Sequence, residues 1–348
     1  MLGAVVGDIV GSIYEIDNHR SKDFPLFDDH SDFTDDTVHT AAVADALVNG
    51  HPPQQALYHW SRRYPGRRYG GAFSDWLDAG HLNPYYSGCN GAAMRVSPAA
   101  LLASTLDEAL DNARRISAAT HCHPEGIMGA VATAHAIFLA RCNAGAGAIR
   151  SEIEMHYGFD LDRSVDMIRP DYQYSERSAQ TVPEAIVCAL EARDFEDAIR
   201  NAVSLGGDSD TLAAIAGPIA EARFGIPDDI ARAALERVTP EMRSTLRALY
   251  ARSEYLNPIR SLRPSMPGST LRRRYEALSP IAELPHGLTY RSRLATWEGF
   301  LVYGRNASSS FHAQAARGVW SDGIDKEYPE LVALVMEAWP DPDKPLPH

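Results

Sequence analysis

The stretch Gly206-Gly207-Asp208-Ser209-Asp210-Thr211 runs straight into Leu212-Ala213-Ala214-Ile215-Ala216-Gly217. It reads as a turn opening a helix. The two glycines permit backbone angles that residues with a Cβ avoid. Asp208 and Asp210 are suited to capping the helix that begins there. In an extended turn residues two apart point the same way, so both carboxylates face one side and Ser209 the other. Thr211 adds a hydroxyl in the first helical turn. About 170 residues earlier, Thr34-Asp35-Asp36-Thr37 opens a second Ala-rich apolar stretch in the same manner.

Working outward, apolar residues recur at helical spacing through most of the first 255 residues. The pattern predicts helices over 2–13, 37–49, 54–64, 107–119, 125–141, 183–192, 195–205, 211–223 and 240–252. Thr34 and Asp35 cap one of them, and Pro183 suits a first turn. Alternating strand patterns are almost absent, so the fold class is all-α, a large helical bundle. After residue 256 the texture changes. Pro258, Pro264, Pro267, Pro280 and Pro285 interrupt any long helix, and Arg272-Arg273-Arg274 make the stretch locally basic. Residues 1–255 are therefore expected to be one helical domain, and 256–348 a C-terminal extension of unassigned role. The extension is expected to hold short strands over 288–303, a helix over 326–339 and a loose tail.

With 348 residues, 45% of them hydrophobic and 23% charged, the chain can bury a core without disulfides. Its four cysteines form no C-x-x-C pair and read as reduced thiols of a cytoplasmic protein. The start has no basic n-region, and the longest uncharged apolar run, 126–140, is too short to span a bilayer. A formal net charge of −13 argues against nucleic-acid binding. An anionic ligand would need positive charge supplied locally, and bound cations are one source.

Thr34, Asp35 and Asp36, with Asp208, Asp210 and Thr211, offer hydroxyl and carboxylate oxygens at two helix entrances. An all-oxygen set suits magnesium, manganese or calcium rather than zinc or copper. Carboxylates gathered in a partly dry site repel one another and either take up protons or bind cations. Either run alone is equally what a helix cap looks like. D-x-D-x-T is also found in phosphoaspartate hydrolases, but there it comes after a buried strand, whereas 198–205 here look helical.

Five blocks in order resemble the ADP-ribosylglycohydrolase family. They are Gly3-Ala4-Val5-Val6-Gly7-Asp8-Ile9-Val10-Gly11 with Glu15, Phe33-Thr34-Asp35-Asp36-Thr37, Ser87-Gly88-Cys89-Asn90-Gly91 with the residues to Pro98, Thr120-His121-Cys122-His123-Pro124-Glu125-Gly126, and Gly206 to Thr211. The resemblance covers about residues 1–255 and implies that they form the catalytic domain. It implies an orthogonal α-bundle with two Mg2+ ions (or Mn2+) at the base of an ADP-ribose cleft. Carried over, the metal ligands are Thr34, Asp35, Asp36, Asp208, Asp210 and Thr211. Glu15, Asp35 or Asp36 would be the catalytic base. Ser87, Gly88, Cys89, Asn90 and Gly91 would bind the diphosphate through backbone N–H groups, with His123 lining the cleft and Tyr85 or Tyr86 near the adenine.

The implied reaction releases ADP-ribose from a modified protein side chain, arginine ahead of serine. Small conjugates such as O-acetyl-ADP-ribose, or a binding or immunity protein that keeps the fold, are the alternatives. The partners expected are an ADP-ribosylated protein and ADP-ribose, with no nucleic acid, no membrane, and a protein partner for the extension. His121-x-His123 lacks further ligands for zinc. His39 and His135 are expected to be structural, Cys122 to be buried filler, and the five tryptophans to pack in cores.

Overall fold

The computed structural model describes residues 1–253. The expected domain boundary, the strands, last helix, tail and arginine run of the extension, and Trp297, Trp320 and Trp339 all lie outside the described residues.

Among the described residues the chain is helical, with two isolated β-bridges and no strand. In order come α1 (Leu2–Gly11), α2 (Asp35–Asn49), α3 (Pro53–Arg63), α4 (Gly71–Ala79) and, after a short 3-10 turn at Asn90–Ala92, α5 (Ser97–Leu102). Next are α6 (Leu106–Ser117), α7 (Pro124–Arg141), α8 (Ala146–Tyr157), α9 (Val165–Ile168) and α10 (Ser178–Glu191). The last four are α11 (Phe195–Ser204), α12 (Ser209–Phe224), α13 (Asp228–Arg237) and α14 (Pro240–Arg252).

Two helices form the centre. Every residue of α1 is buried, and α12 is buried from Ser209 to Ala220. They pack on each other with almost no side chain between. A Cβ built at Gly3 would stand 2.4 Å from the Gly217 carbonyl oxygen, and one at Gly11 would stand 2.4 Å from Cα of Asp210. Spaced four apart, Gly3, Gly7 and Gly11 put one bare backbone stripe on α1. Helices α7, α10 and α11 surround α12, while α2 packs on α1, α3 and α14. Trp60 and Trp76 are in the core as expected.

The helix at 183–192 starts earlier than its proline suggests. It begins at Ser178, and Pro183 lies inside it. A proline there leaves the carbonyl of Ala179 without its usual partner, which the burial of Val182 to Leu190 outweighs. Helices α4, α5, α8, α9 and α13 lie outside the predicted set. Some have narrow apolar faces, α8 burying only Ile149 and Ile153, while α5 is only six residues long and too short to show a period.

Candidate metal centre and ligand cavity

The α1–α12 contact carries Asp8 and Asp210 to the same place. Asp8 is fully buried between Gly7 and Gly11. Its carboxylate accepts hydrogen bonds from the Thr34 backbone N–H at 3.0 Å, the Thr34 hydroxyl at 2.7 Å and the Thr37 N–H at 3.0 Å. These donors belong to the entrance of α2, whose orphan N–H groups and positive dipole end favour a carboxylate. Thr34 is also the N-cap of α2, its hydroxyl oxygen accepting from the Asp36 N–H. Asp8 thereby ties the first acidic run to α1, and the glycine stripe ties α1 to the second.

Two sets of carboxylates result. Oxygens of Asp8, Asp36 and Asp210 lie within 4.8 Å of one another, as do oxygens of Glu15, Asp208 and Asp210. Asp210 belongs to both. Asp36 is 2% exposed, and its buried Oδ1 has no hydrogen-bond partner. Its Oδ2 accepts from the Thr211 hydroxyl at 3.3 Å. Buried carboxylate oxygens are normally satisfied. An orphaned one inside an all-oxygen set fits a hard divalent ion.

Electrostatics agree. Burial pushes the Asp8 carboxyl up to about 6, with hydrogen bonds from Thr37 and Thr34 pulling back. Burial likewise raises Asp208 to about 6, against its bond from Asn90. Asp35, Asp36 and Asp210 are driven well above the ordinary range, first by burial and then by neighbouring carboxylates. A nearby cation reverses both effects.

All of these carboxyl groups except Asp8 line a cavity. Glu15, Asp35, Asp36, Asp208, Asp210 and Thr211 form its acidic wall; Ser87, Cys89, Asn90 and Gly91 come from the glycine-rich loop. Thr34, Gly88 and His123 are not part of the lining. Thr34 acts through Asp8 and the helix cap. The His123 ring accepts from the Glu125 N–H and caps α7, while its neighbour His121 lines the cavity. Asp35 stands outside both carboxylate sets, 15% exposed, with its Oδ2 4.0 Å from Nδ1 of His39.

The loop is pinned from behind. Its Asn90 N–H donates to the Glu176 carbonyl at 2.7 Å, and the Ser178 N–H donates to the Gly88 carbonyl at 3.0 Å. The N–H groups of Ser87, Cys89 and Asn90 are engaged within the protein, so the loop holds its shape through them. The Asn90 side chain donates to Oδ2 of Asp208 at 2.6 Å and to Thr181 at 3.2 Å. Asn90 therefore orients a carboxylate as well as lining the cavity.

Several residues of the site lie outside the set expected from sequence: Asp8, buried behind the cavity wall, and the lining residues Arg68, Arg95, Tyr174 and Glu176. Asp8 has a visible signal, a charge inside an otherwise apolar helix, and such a charge is rarely buried without partners. Arg68, Tyr174 and Glu176 have none. Arg95 is wholly buried, donates to the Thr120 hydroxyl at 2.5 Å and is pulled down to about 10 by burial. His39 and His121 are buried as structural histidines are, yet both face the cavity. Tyr85 lines it; Tyr86 is 74% exposed. Cys122 is exposed rather than buried, because it lies in the short link before α7. All four cysteines are free thiols. No helix among the described residues is long and apolar enough to cross a membrane.

Carboxylates from both ends of the helical domain converge beside one cavity, the arrangement of an enzyme site with room for a hard cation. Residues 1–259 match the family model for ADP-ribosylglycohydrolase, and the chain belongs to that family. It is a hydrolase of the glycosidase type. An uncharacterised protein of Archaeoglobus fulgidus is 30% identical over 273 residues, covering 66% of this chain and 88% of that one. The ADP-ribosylhydrolase ARH3 of Mus musculus is 24% identical, covering 65% of this chain and 83% of its own length. The ADP-ribosylarginine hydrolase Tri1 of Pseudomonas putida is 26% identical, covering 65% and 70%. A solved structure titled ADP-ribosylglycohydrolase-related protein complex superposes with a TM-score of 0.52 at 25% identity, covering 72% of this chain and 95% of that one.

Proposed function

We propose that this protein cleaves the bond between C1 of the distal ribose and an ADP-ribosylated protein side chain, releasing ADP-ribose. Arginine is the favoured side chain, and two Mg2+ ions (or Mn2+) are the cofactors. One observation carries the metal-dependent reading: two carboxylate trios, Asp8–Asp36–Asp210 and Glu15–Asp208–Asp210, share Asp210 beside the cavity. The similarity to Tri1, whose name specifies arginine, favours that linkage.

Those five carboxylates are the residues that would hold the ions. Bound there, hard divalent ions would neutralise the acidic wall and lower the pKa of a water. The protein's own groups do the rest. Asp208 is oriented by Asn90, and Asp36 by Thr211. Two cavity-lining carboxylates stand outside both trios, Asp35 and the exposed Glu176; Asp35, the more buried, takes the proton from the attacking water and returns it to the side-chain atom that departs as the C1 bond breaks. Cleavage passes through an oxocarbenium-like state, which nearby carboxylates favour.

The test is a release assay on arginine-linked and serine-linked ADP-ribosyl peptides, with and without magnesium. Release from the arginine peptide should disappear with EDTA and return with Mg2+ or Mn2+. No release from either peptide would refute the proposal; release from serine alone would move the linkage. Asp35→Asn should lose turnover while still binding cations.

A further inference from the structure

Two partners compete for the Glu15 carboxylate. Its Oε2 accepts a hydrogen bond from Nη1 of Arg68 at 2.9 Å. One of its oxygens also lies within 4.8 Å of oxygens of Asp208 and Asp210. Arg68 is held in place as well by the Ser12 carbonyl, to which it donates at 2.7 Å. Its backbone has a φ of 63°, a left-handed conformation that an arginine seldom adopts. Such a conformation persists only where the surroundings enforce it. An ordinary exposed ion pair contributes little and needs no such backbone.

The other carboxylate trio has no such competitor. Asp8 is bonded to the hydroxyl and backbone of Thr34 and to the backbone of Thr37, and Asp36 to the hydroxyl of Thr211. Among the described residues one other arginine lines the cavity, Arg95, and it is fully buried against Thr120. Arg68 is different: its side chain is 43% exposed and can turn away into water.

We infer that Arg68 is a positioning residue that stands in for the ion at the Glu15–Asp208–Asp210 trio. Its guanidinium neutralises Glu15 while the trio holds no cation, and it must give up that carboxylate as the ion arrives. Two like charges cannot share the carboxylate without strong repulsion. The two ion sites are therefore unequal, the Asp8–Asp36–Asp210 site being the tighter. This inference rests on the two-ion reading proposed above.

Calorimetric titration of the chelator-stripped full chain with Mg2+ tests it. Asparagine tolerates a left-handed backbone and carries no charge, so Arg68→Asn removes the competitor with little strain. Wild type should show two classes of site. In Arg68→Asn the weaker site should tighten about tenfold, as expected for loss of a nearby like charge, with the tighter one unchanged within about twofold. Arg68→Lys, which keeps the charge, should stay near wild type. In a Glu15→Gln background the Arg68→Asn exchange should change nothing, a cycle that isolates the pair. An unchanged weaker site in Arg68→Asn, or equal tightening of both, overturns the role of Arg68 alone. Failure of the wild type to bind Mg2+ overturns the two-ion reading and this inference with it.

Discussion

Gly7 rests on the carbonyl of Ala213: a Cβ at position 7 would stand 2.1 Å from that oxygen. No side chain fits there, and the obstacle is backbone rather than a flexible group. The contact sets the separation of α1 and α12, and so the distance from Asp8 to Asp210. Gly7→Ala should destabilise the protein by about 3 kcal/mol or more, at the upper end for overpacking. Gly145, with nothing near its Cβ position, is the control; Gly145→Ala should stay within about 1 kcal/mol. Urea denaturation of both variants measures the difference.

Asp8 is expected to matter for folding as well as for cations. Asp8→Ala leaves two buried N–H groups and a hydroxyl at the entrance of α2 without their acceptor. The loss should be about 2–4 kcal/mol, from the cost of each unsatisfied group. Denaturation in the presence of a chelator separates this structural loss from any loss of ion binding. Asp8→Asn, which keeps one acceptor oxygen, should lose less.

Asp210 predicts the opposite balance. It is buried, shared by both trios and repelled by Asp208 and Asp36. Asp210→Asn keeps an oxygen for the Thr211 N–H, which now bonds Oδ1 at 2.9 Å. With chelator present, Asp210→Asn should melt about 2–4 °C above wild type, because relieving the repulsion contributes about 1 kcal/mol. Turnover and Mg2+ binding should both be lost. A lower melting temperature together with retained Mg2+ binding would contradict the shared role.

The stabilising effect of magnesium should depend on pH. Asp8 and Asp208 sit at about 6 in the folded protein against an ordinary 3.8. A carboxyl with a raised folded pKa contributes stability that is complete below 3.8 and lost as pH rises through 6. The chelated protein is therefore penalised most above pH 6, where a bound cation relieves the penalty. The rise in melting temperature on adding Mg2+ should be larger at pH 7.5 than at pH 5.5. His121 works in the opposite direction, since burial lowers it from 6.5 to about 3 and its stability is lost as pH falls below 6.5. That loss occurs with or without magnesium and cancels in the difference. An equal rise at both pH values would sink the prediction.

What can be read without a structure is local. Periodicity places the helix at 240–252 to the residue, and Thr34 is legible as a cap, because both signals act over a few neighbouring residues. Pro183 misleads for the same reason: its local preference for a first turn is overridden by burial along α10. In the site, the acidic runs announce themselves as hard-ligand chemistry. The roles of Asn90 and Arg68 are invisible, since Asn90 meets Asp208 across 118 positions and Arg68 meets Glu15 across 53.

By itself the sequence determined a helical first domain and two acidic helix entrances whose oxygens suit a hard ion. Residue type and short-range spacing are enough for that. Only the tertiary structure decided which carboxylates stand together. It drew in Asp8, left Asp35 outside both trios, and gave Glu15 an arginine for company. The physical reason is the bare glycine stripe of α1. It lets two backbones touch, and through-space distances between residues about 200 positions apart depend on that contact.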